Sequence, residues 1–177
     1  AGGVLWGQKG AAQWLSEKGI LQAKMQRSAD MAKLISAAGA SYGDKEQIAG
    51  KKRIAGAIFA AQLDLTHPLA FGLPRAMLPV FKNDPMLLLP SSDAYVTVGR
   101  YTDKPQLAGF TASEYVEQIR HGASLLAHNQ GQGRVIAMTD NPVFRGYFVG
   151  SGRILVNALF LAKAFNSQED GGDGEEE

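Results

Sequence analysis

Apolar residues recur along this chain in short clusters, and the spacing inside each cluster separates strand from helix. Residues 3–6 form a strand candidate, and Gly7-Gln8-Lys9-Gly10 reads as a tight turn. Residues 11–17 suit a short helix that points Trp14 and Leu15 inward and stops at Gly19. Over residues 23–38, Met25, Met31, Leu34 and Ile35 fall at roughly helical spacing, while Gly39, Gly43 and Gly50 interrupt the segment after them. Residues 20–50 therefore read as an inserted helical excursion. Residues 54–63 are an apolar run that suits a buried strand, with a helix the alternative because of its alanines. In Asp64-Leu65-Thr66-His67-Pro68-Leu69 the proline pushes His67 into an extended conformation, so a turn is expected.

The second half is more regular. Residues 77–81 and 86–89 predict two short strands on either side of Lys82-Asn83-Asp84-Pro85. Strict alternation over residues 95–101, with Val96 and Val98 opposite Tyr95, Thr97, Gly99 and Tyr101, predicts another. Thr111 or Ser113 caps a helix running to about His121, with Glu114 and Glu117 near its positive end. Residues 123–128 and 134–139 read as strands joined through Gln130-Gly131-Gln132-Gly133. A closing helix over residues 150–165 places Ile154, Leu155, Ala158, Leu159 and Ala162 on one apolar face. Strands interspersed with helices put the chain in the α/β class.

Composition narrows the function classes. The 177 residues are 45% hydrophobic and 20% charged, the mix of one ordinary domain with its own core. No run approaches the roughly 20 apolar residues of a membrane span, and no basic segment followed by a long apolar stretch marks a signal peptide. Ala1-Gly2-Gly3-Val4-Leu5-Trp6 has no initiator Met and reads as a chain already entering a buried strand, so an N-terminal truncation is expected. The lack of cysteine excludes a thiol nucleophile, disulfides and Cys-based zinc sites. The net charge of +1 hides an asymmetry, because six of the 17 acidic groups lie between Glu169 and the terminal Glu177. The expected organisation is a domain over residues 1–166 and a disordered acidic tail over residues 167–177. Lys51-Lys52-Arg53 is the densest basic cluster. It has no interleaved aromatic residue to stack bases, so it reads as a solvated face and no nucleic-acid partner is expected.

Candidate chemistry is sparse. The segment Leu5-Trp6-Gly7-Gln8-Lys9-Gly10 has the strand–turn–helix form in which α/β hydrolases and amidotransferases expose a nucleophile. Its apex is Gln8 or Lys9; an amide does not attack a carbonyl, and a lysine must first be desolvated to its neutral form. His67, His121 and His128 form no HExxH, HxxE or HxH pattern, so they read as a turn residue, a helix end and a strand end and not as metal ligands. Ser151 in Gly150-Ser151-Gly152 lacks the preceding strand and the wider GxSxG frame of a nucleophile. The same glycines open the last helix beside Arg153, where free N–H groups suit an anion. Asn141 and Arg145 sit in the loop before it, with a ligand or a nearby carboxylate as the candidate partner of Arg145.

Three stretches resemble a known family: Gly131-x-Gly133-Arg134-Val135-Ile136, then Asp140-Asn141-Pro142-x-Phe144-Arg145, then Gly150-x-x-Arg153-Ile154-Leu155-x-Asn157-Ala158. Together they resemble the closing block of the C-terminal glutamine amidotransferase-like domain attached to zinc carboxypeptidases of the carboxypeptidase A-like type. Asp64-x-Thr66-His67-Pro68-Leu69-Ala70-Phe71-Gly72, and Gly2-Gly3-Val4-Leu5 with the helix carrying Trp14-Leu15, are similar to the same family. The resemblance covers roughly residues 1–165. It implies a three-layer flavodoxin-like or amidotransferase-like sheet with flanking helices, incomplete at its N-terminus.

The resemblance also implies a non-catalytic accessory domain of a metallopeptidase, hydrolysing C-terminal bonds at the cell envelope or outside the cell, in the periplasm or secreted. The zinc of that peptidase would lie in an upstream domain. No catalytic, cofactor or metal residue carries over to this chain; the candidate positions are Gln8, Lys9, Asn141, Arg145, Ser151 and Arg153. The partners expected are the N-terminal remainder of the same protein and a second copy, through an exposed sheet face or edge. The alternatives are a module binding a small anion or sugar through Arg145, Arg153 and the Gly150 helix start, and a hydrolase using Ser151 or a His-supported water.

Overall fold

Residues 2–167 are described by the computed structural model, which shows a curled mixed sheet with flanking helices. Its elements are β1 (Val4–Gln8), α1 (Gly10–Glu17), β2 (Met25–Gln26), α2 (Ser28–Ala32), α3 (Lys45–Lys51), β3 (Ala57–Leu63), β4 (Met77–Lys82), β5 (Leu87–Leu88), β6 (Thr97–Ala108), α4 (Ser113–Ile119), β7 (Ala123–Gln130), β8 (Gly133–Met138) and α5 (Val149–Leu161). The main path runs β1-β8-β7-β6-β3-β4, and the short β2 and β5 pair with each other, β5 also touching β7. Only β1 and β8 pair in parallel, in the register Val4 to Arg134 through Gln8 to Met138; the other pairs are antiparallel. Following these senses along the path, β1, β8, β6 and β4 all point their carboxyl ends to one end of the sheet.

The mixed α/β class stands, and β3, β4, β7 and β8 lie on apolar clusters, but the strand expected over residues 95–101 runs instead over Thr97–Ala108, leaving out Tyr95 at φ 61° and taking in a polar second half. Alternation along β8 builds both cores at once. Ile136 and Met138 face the larger core, which includes Ile154 and Ala158 of α5, while Val135 and Ala137 face a smaller one with Ala12 and Leu15 of α1. The two helices therefore cover opposite faces of the β1–β8 pair.

Several local expectations are corrected. Leu15 is buried, but Trp14 is 52% exposed, because an eight-residue helix resting on one strand pair has only a narrow buried stripe. The excursion over residues 20–50 is not one long helix: it holds β2, α2 and α3, with Met31 and Ile35 buried and Leu34 exposed. Residues 54–63 are strand from Ala57 onward, which removes the helical alternative. Neither Thr111 nor Ser113 caps α4: the N-cap position is Ala112 with no side-chain cap, and among the described residues the buried Thr111 hydroxyl has no hydrogen-bond partner. In α5 the buried stripe is Ser151, Ile154, Asn157 and Ala158, while Leu159 and Phe160 stand out to solvent. Of residues 167–177, Ser167 is bonded to Asn129 in both directions, and the rest of the expected tail lies outside the described residues.

Candidate functional site

The carboxyl end of β1 turns directly into α1, and the apex of that turn is Lys9. Its backbone has φ 49° and ψ −117°, a left-handed conformation that side chains other than glycine rarely adopt. Three contacts hold it there. The Lys9 N–H donates to the Met138 carbonyl at 3.0 Å, continuing the β1–β8 ladder one residue past its end. The Lys9 carbonyl accepts from Gln13 at 2.9 Å, starting the helix. Gly7 supplies the close approach, since a Cβ there would lie 2.5 Å from Leu15 Cδ1 and 3.1 Å from Ala12 Cα. Of the two apex candidates, Lys9 thus takes the strained position. Gln8 points along the sheet end, its amide donating to the Asp140 carbonyl at 3.1 Å, and the Lys9 ammonium donates to Asn83 Oδ1.

Behind the elbow lies a sealed polar cluster. Lys82 at the end of β4, Tyr101 of β6 and Asp140 just after β8 converge. Lys82 and Asp140 are both 0% exposed. The Tyr101 hydroxyl donates to Asp140 Oδ1 at 2.6 Å. The Lys82 ammonium donates to Thr139 Oγ1 at 3.0 Å, stands 3.7 Å from Asp140 Oδ1, and lies 5.9 Å from the centre of the Tyr101 ring. Burial pushes the Lys82 amine down and the Asp140 carboxyl up from their ordinary values, and their mutual attraction opposes both shifts. Burial and the nearby Asp140 carboxylate raise the Tyr101 phenol well above its usual range. Among the described residues, Asp140 Oδ2 has no hydrogen-bond partner.

The composition of this cluster suits proton chemistry, but its placement does not. A pair with no exposed surface meets no substrate, and what it does is tie together the ends of β4, β8 and β1 and the middle of β6. The sequence does carry a signal for Lys82, one residue beyond the strand expected over residues 77–81. It has the same parity as the buried Leu78 and Val80 and so must point into the core. Its pairing with Tyr101 and Asp140 is a matter of tertiary placement alone.

The remaining sequence candidates lie apart from the elbow's apex. Asn141 is held by its N–H to the Phe81 carbonyl at 2.8 Å and accepts from the Val143 N–H at 3.3 Å. Arg145, at φ 51°, places its guanidinium 5.2 Å from the Phe144 ring, which itself stacks on Phe81 at 3.7 Å. Arg153 leans over the Gly72 turn, 3.1 Å from where a Cβ on that glycine would sit. The Ser151 hydroxyl is buried and donates to the Pro142 carbonyl at 2.7 Å, which makes it a brace for the start of α5.

The histidines are also engaged locally. His67 Nδ1 accepts from the Leu69 N–H at 3.1 Å and the ring packs on Phe165 at 4.8 Å. His128 Nε2 accepts from the Gln22 N–H at 3.1 Å while Nδ1 faces the Asn129 carbonyl at 2.7 Å. His121 pairs on the surface with Glu117 at 3.5 Å. Among the described residues, no group of three or more His, Asp or Glu side chains is placed to hold a metal ion, and no helix is long and apolar enough to cross a membrane. No family model, no curated protein and no solved structure matches this chain.

Proposed function

We propose that this chain is a non-catalytic, amidotransferase-like α/β domain serving a zinc carboxypeptidase-like protein whose peptidase domain lies upstream, in the cell envelope or outside the cell. The observation that carries this reading is Lys9. A strand–elbow–helix with a strained apex is the device by which such folds expose a nucleophile, and here the apex residue is a lysine whose amine is hydrogen-bonded to Asn83. The elbow is kept and the attacking group is not.

The closing block supports the parentage, since several of the residues that resemble the family build this end of the sheet: Asp140 at the cluster, and Asn141 and Pro142 in the loop that leads to α5. Placement of α1 and α5 on opposite faces of a parallel pair is what a three-layer flavodoxin-like arrangement requires locally. Accessory service includes contact with the rest of the parent protein, and self-association in isolation through the outer edge of β1, where Val4 and Leu5 are exposed, and the outer face of α5.

The test is the coding sequence of the full protein. An HxxE pair with a later histidine ahead of this domain supports the reading; a coding sequence without them overturns the parentage. A hydrolase using Ser151 is disfavoured because its hydroxyl is committed to a backbone carbonyl and none of the three histidines is its hydrogen-bond partner.

A further inference from the structure

Beside the elbow opens a cleft of about 460 Å³, walled by Ser28, Lys52, Arg53, Asn83, Asp84 and Pro85 with neighbouring apolar atoms. We propose that this cleft binds a small ligand through an oxyanion, a carboxylate or a phosphate, gripped by Lys52 and Arg53 with the Lys9 ammonium at its rim.

The charge balance favours an anion. Lys52 and Arg53 form no ion pair among the described residues, and Lys9 reaches the wall through Asn83. Asp84 is the one carboxylate lining the cleft among the described residues. Its Oδ1 already accepts from the Ser28 hydroxyl and the Met86 N–H, each at 2.7 Å. Two cations thus line the cleft against one carboxylate, with Lys9 a third close behind Asn83, and an arriving oxyanion meets a net attractive field.

The backbone that presents the cations is fixed before any ligand arrives. The Tyr115 hydroxyl donates to the Lys52 carbonyl at 3.1 Å, the Arg53 N–H donates to the Gly50 carbonyl at 3.1 Å, and Ile54 is 2% exposed in the main core. On the opposite wall, Asn83 directly follows the buried Lys82. Preorganisation of this kind lowers the ordering cost of binding, and an arginine fork matches a carboxylate or phosphate in two-point contact. The cleft lies between the carboxyl end of β4 and the segment that enters β3.

The experiment is calorimetric titration of the chain at low ionic strength with three probes: inorganic phosphate, an N-acetylated dipeptide with a free C-terminal carboxylate, and the same dipeptide amidated. Binding of phosphate or of the free acid, but not of the amide, is expected, and the tighter of the two names the source of the oxyanion. Lys52→Gln and Arg53→Gln should each weaken it by about tenfold, the scale of one charge-assisted contact. Lys51→Gln, a neighbouring cation outside the cleft wall, should leave it unchanged. Absence of binding to both anions, equal binding of the amide, or equal loss in all three variants would overturn the proposal. Melting curves of the variants confirm that each is folded. Hydrolytic activity in the chain would overturn the non-catalytic reading and leave this titration untouched.

Discussion

Among single residues, two lysines stand in opposite circumstances. Lys82 has no contact with solvent and depends on Asp140, Thr139 and the Tyr101 ring. Removing one member of a buried pair leaves the other charge uncompensated, so Lys82→Met or Asp140→Leu alone should each cost about 3–5 kcal/mol. The double variant should cost less than the sum of the two by about 0.5–3 kcal/mol, measured by denaturant unfolding; strict additivity would show that the two do not interact. Lys9 is instead strained. Its φ of 49° and ψ of −117° suit glycine, and a conformation of that kind costs about 1–3 kcal/mol in other residues. Lys9→Gly should therefore be more stable than Lys9→Ala by at least about 1 kcal/mol, both variants having lost the same bond to Asn83. An alanine variant equal to the glycine one would show that the elbow is relaxed.

Among the helices, strands and turns, the turn after β3 is bound to the last helix and carries a pH dependence. Asn157 of α5 donates to the Leu69 and Phe71 carbonyls, both at 2.9 Å, and the His67 ring packs between its own turn and Phe165. Burial holds His67 down from 6.5 to about 4, with the nearby Asp64 opposing the shift weakly. The unfolded chain therefore takes up this proton first as pH falls. The stabilisation by neutral His67 is complete above about pH 6.5 and is lost as pH drops towards 4. It amounts to about 3 kcal/mol at most. His67→Asn, which keeps an acceptor for the Leu69 N–H, should flatten the stability profile across that window; an unchanged slope would assign it to other groups.

The same elements show what the sequence could and could not convey. Strands built on alternation, such as β4 and β8, are readable because each residue's face follows from its parity; β6 is readable only in part, because register shifts near Gly99 put Val98 and Tyr101, of opposite parity, in the same core. The region between α1 and β3 is not readable, because its elements are two to seven residues long, too short for a periodic signal, and Gly50 lies inside α3 instead of ending it. Exposure of Trp14 and Leu159 follows from which face each helix turns to the sheet, a tertiary matter. The elbow was readable from its glycines, though not which of Gln8 and Lys9 stands at its apex. Tyr101 and Asp140 are 39 residues apart in the chain, and nothing local in either segment announces the bond.

Across the molecule, β1 and β4 are the two ends of the main strand path. Among the described residues β1 pairs only with β8, and Val4 and Leu5 are 39% and 49% exposed. On α5, Val156, Leu159 and Phe160 are 50%, 74% and 81% exposed. Apolar surface next to an unpaired strand favours association. Sedimentation velocity should show the isolated chain self-associating as its concentration rises, and Leu159→Lys with Phe160→Glu should shift it towards monomer. A monodisperse monomer at every concentration would show that the outer edge of β1 and the outer face of α5 do not drive association.

The proposed function rests on the strained turn at Lys9 being an elbow that carries no nucleophile, and turnover by the purified chain decides whether it is inert. Incubated with glutamine and with an activated ester, the chain should release no ammonia or alcohol above the buffer rate, and Lys9→Ala and Ser151→Ala should be indistinguishable from it. Sustained turnover that disappears in either variant would contradict the non-catalytic reading and establish the elbow or the start of α5 as a working active site.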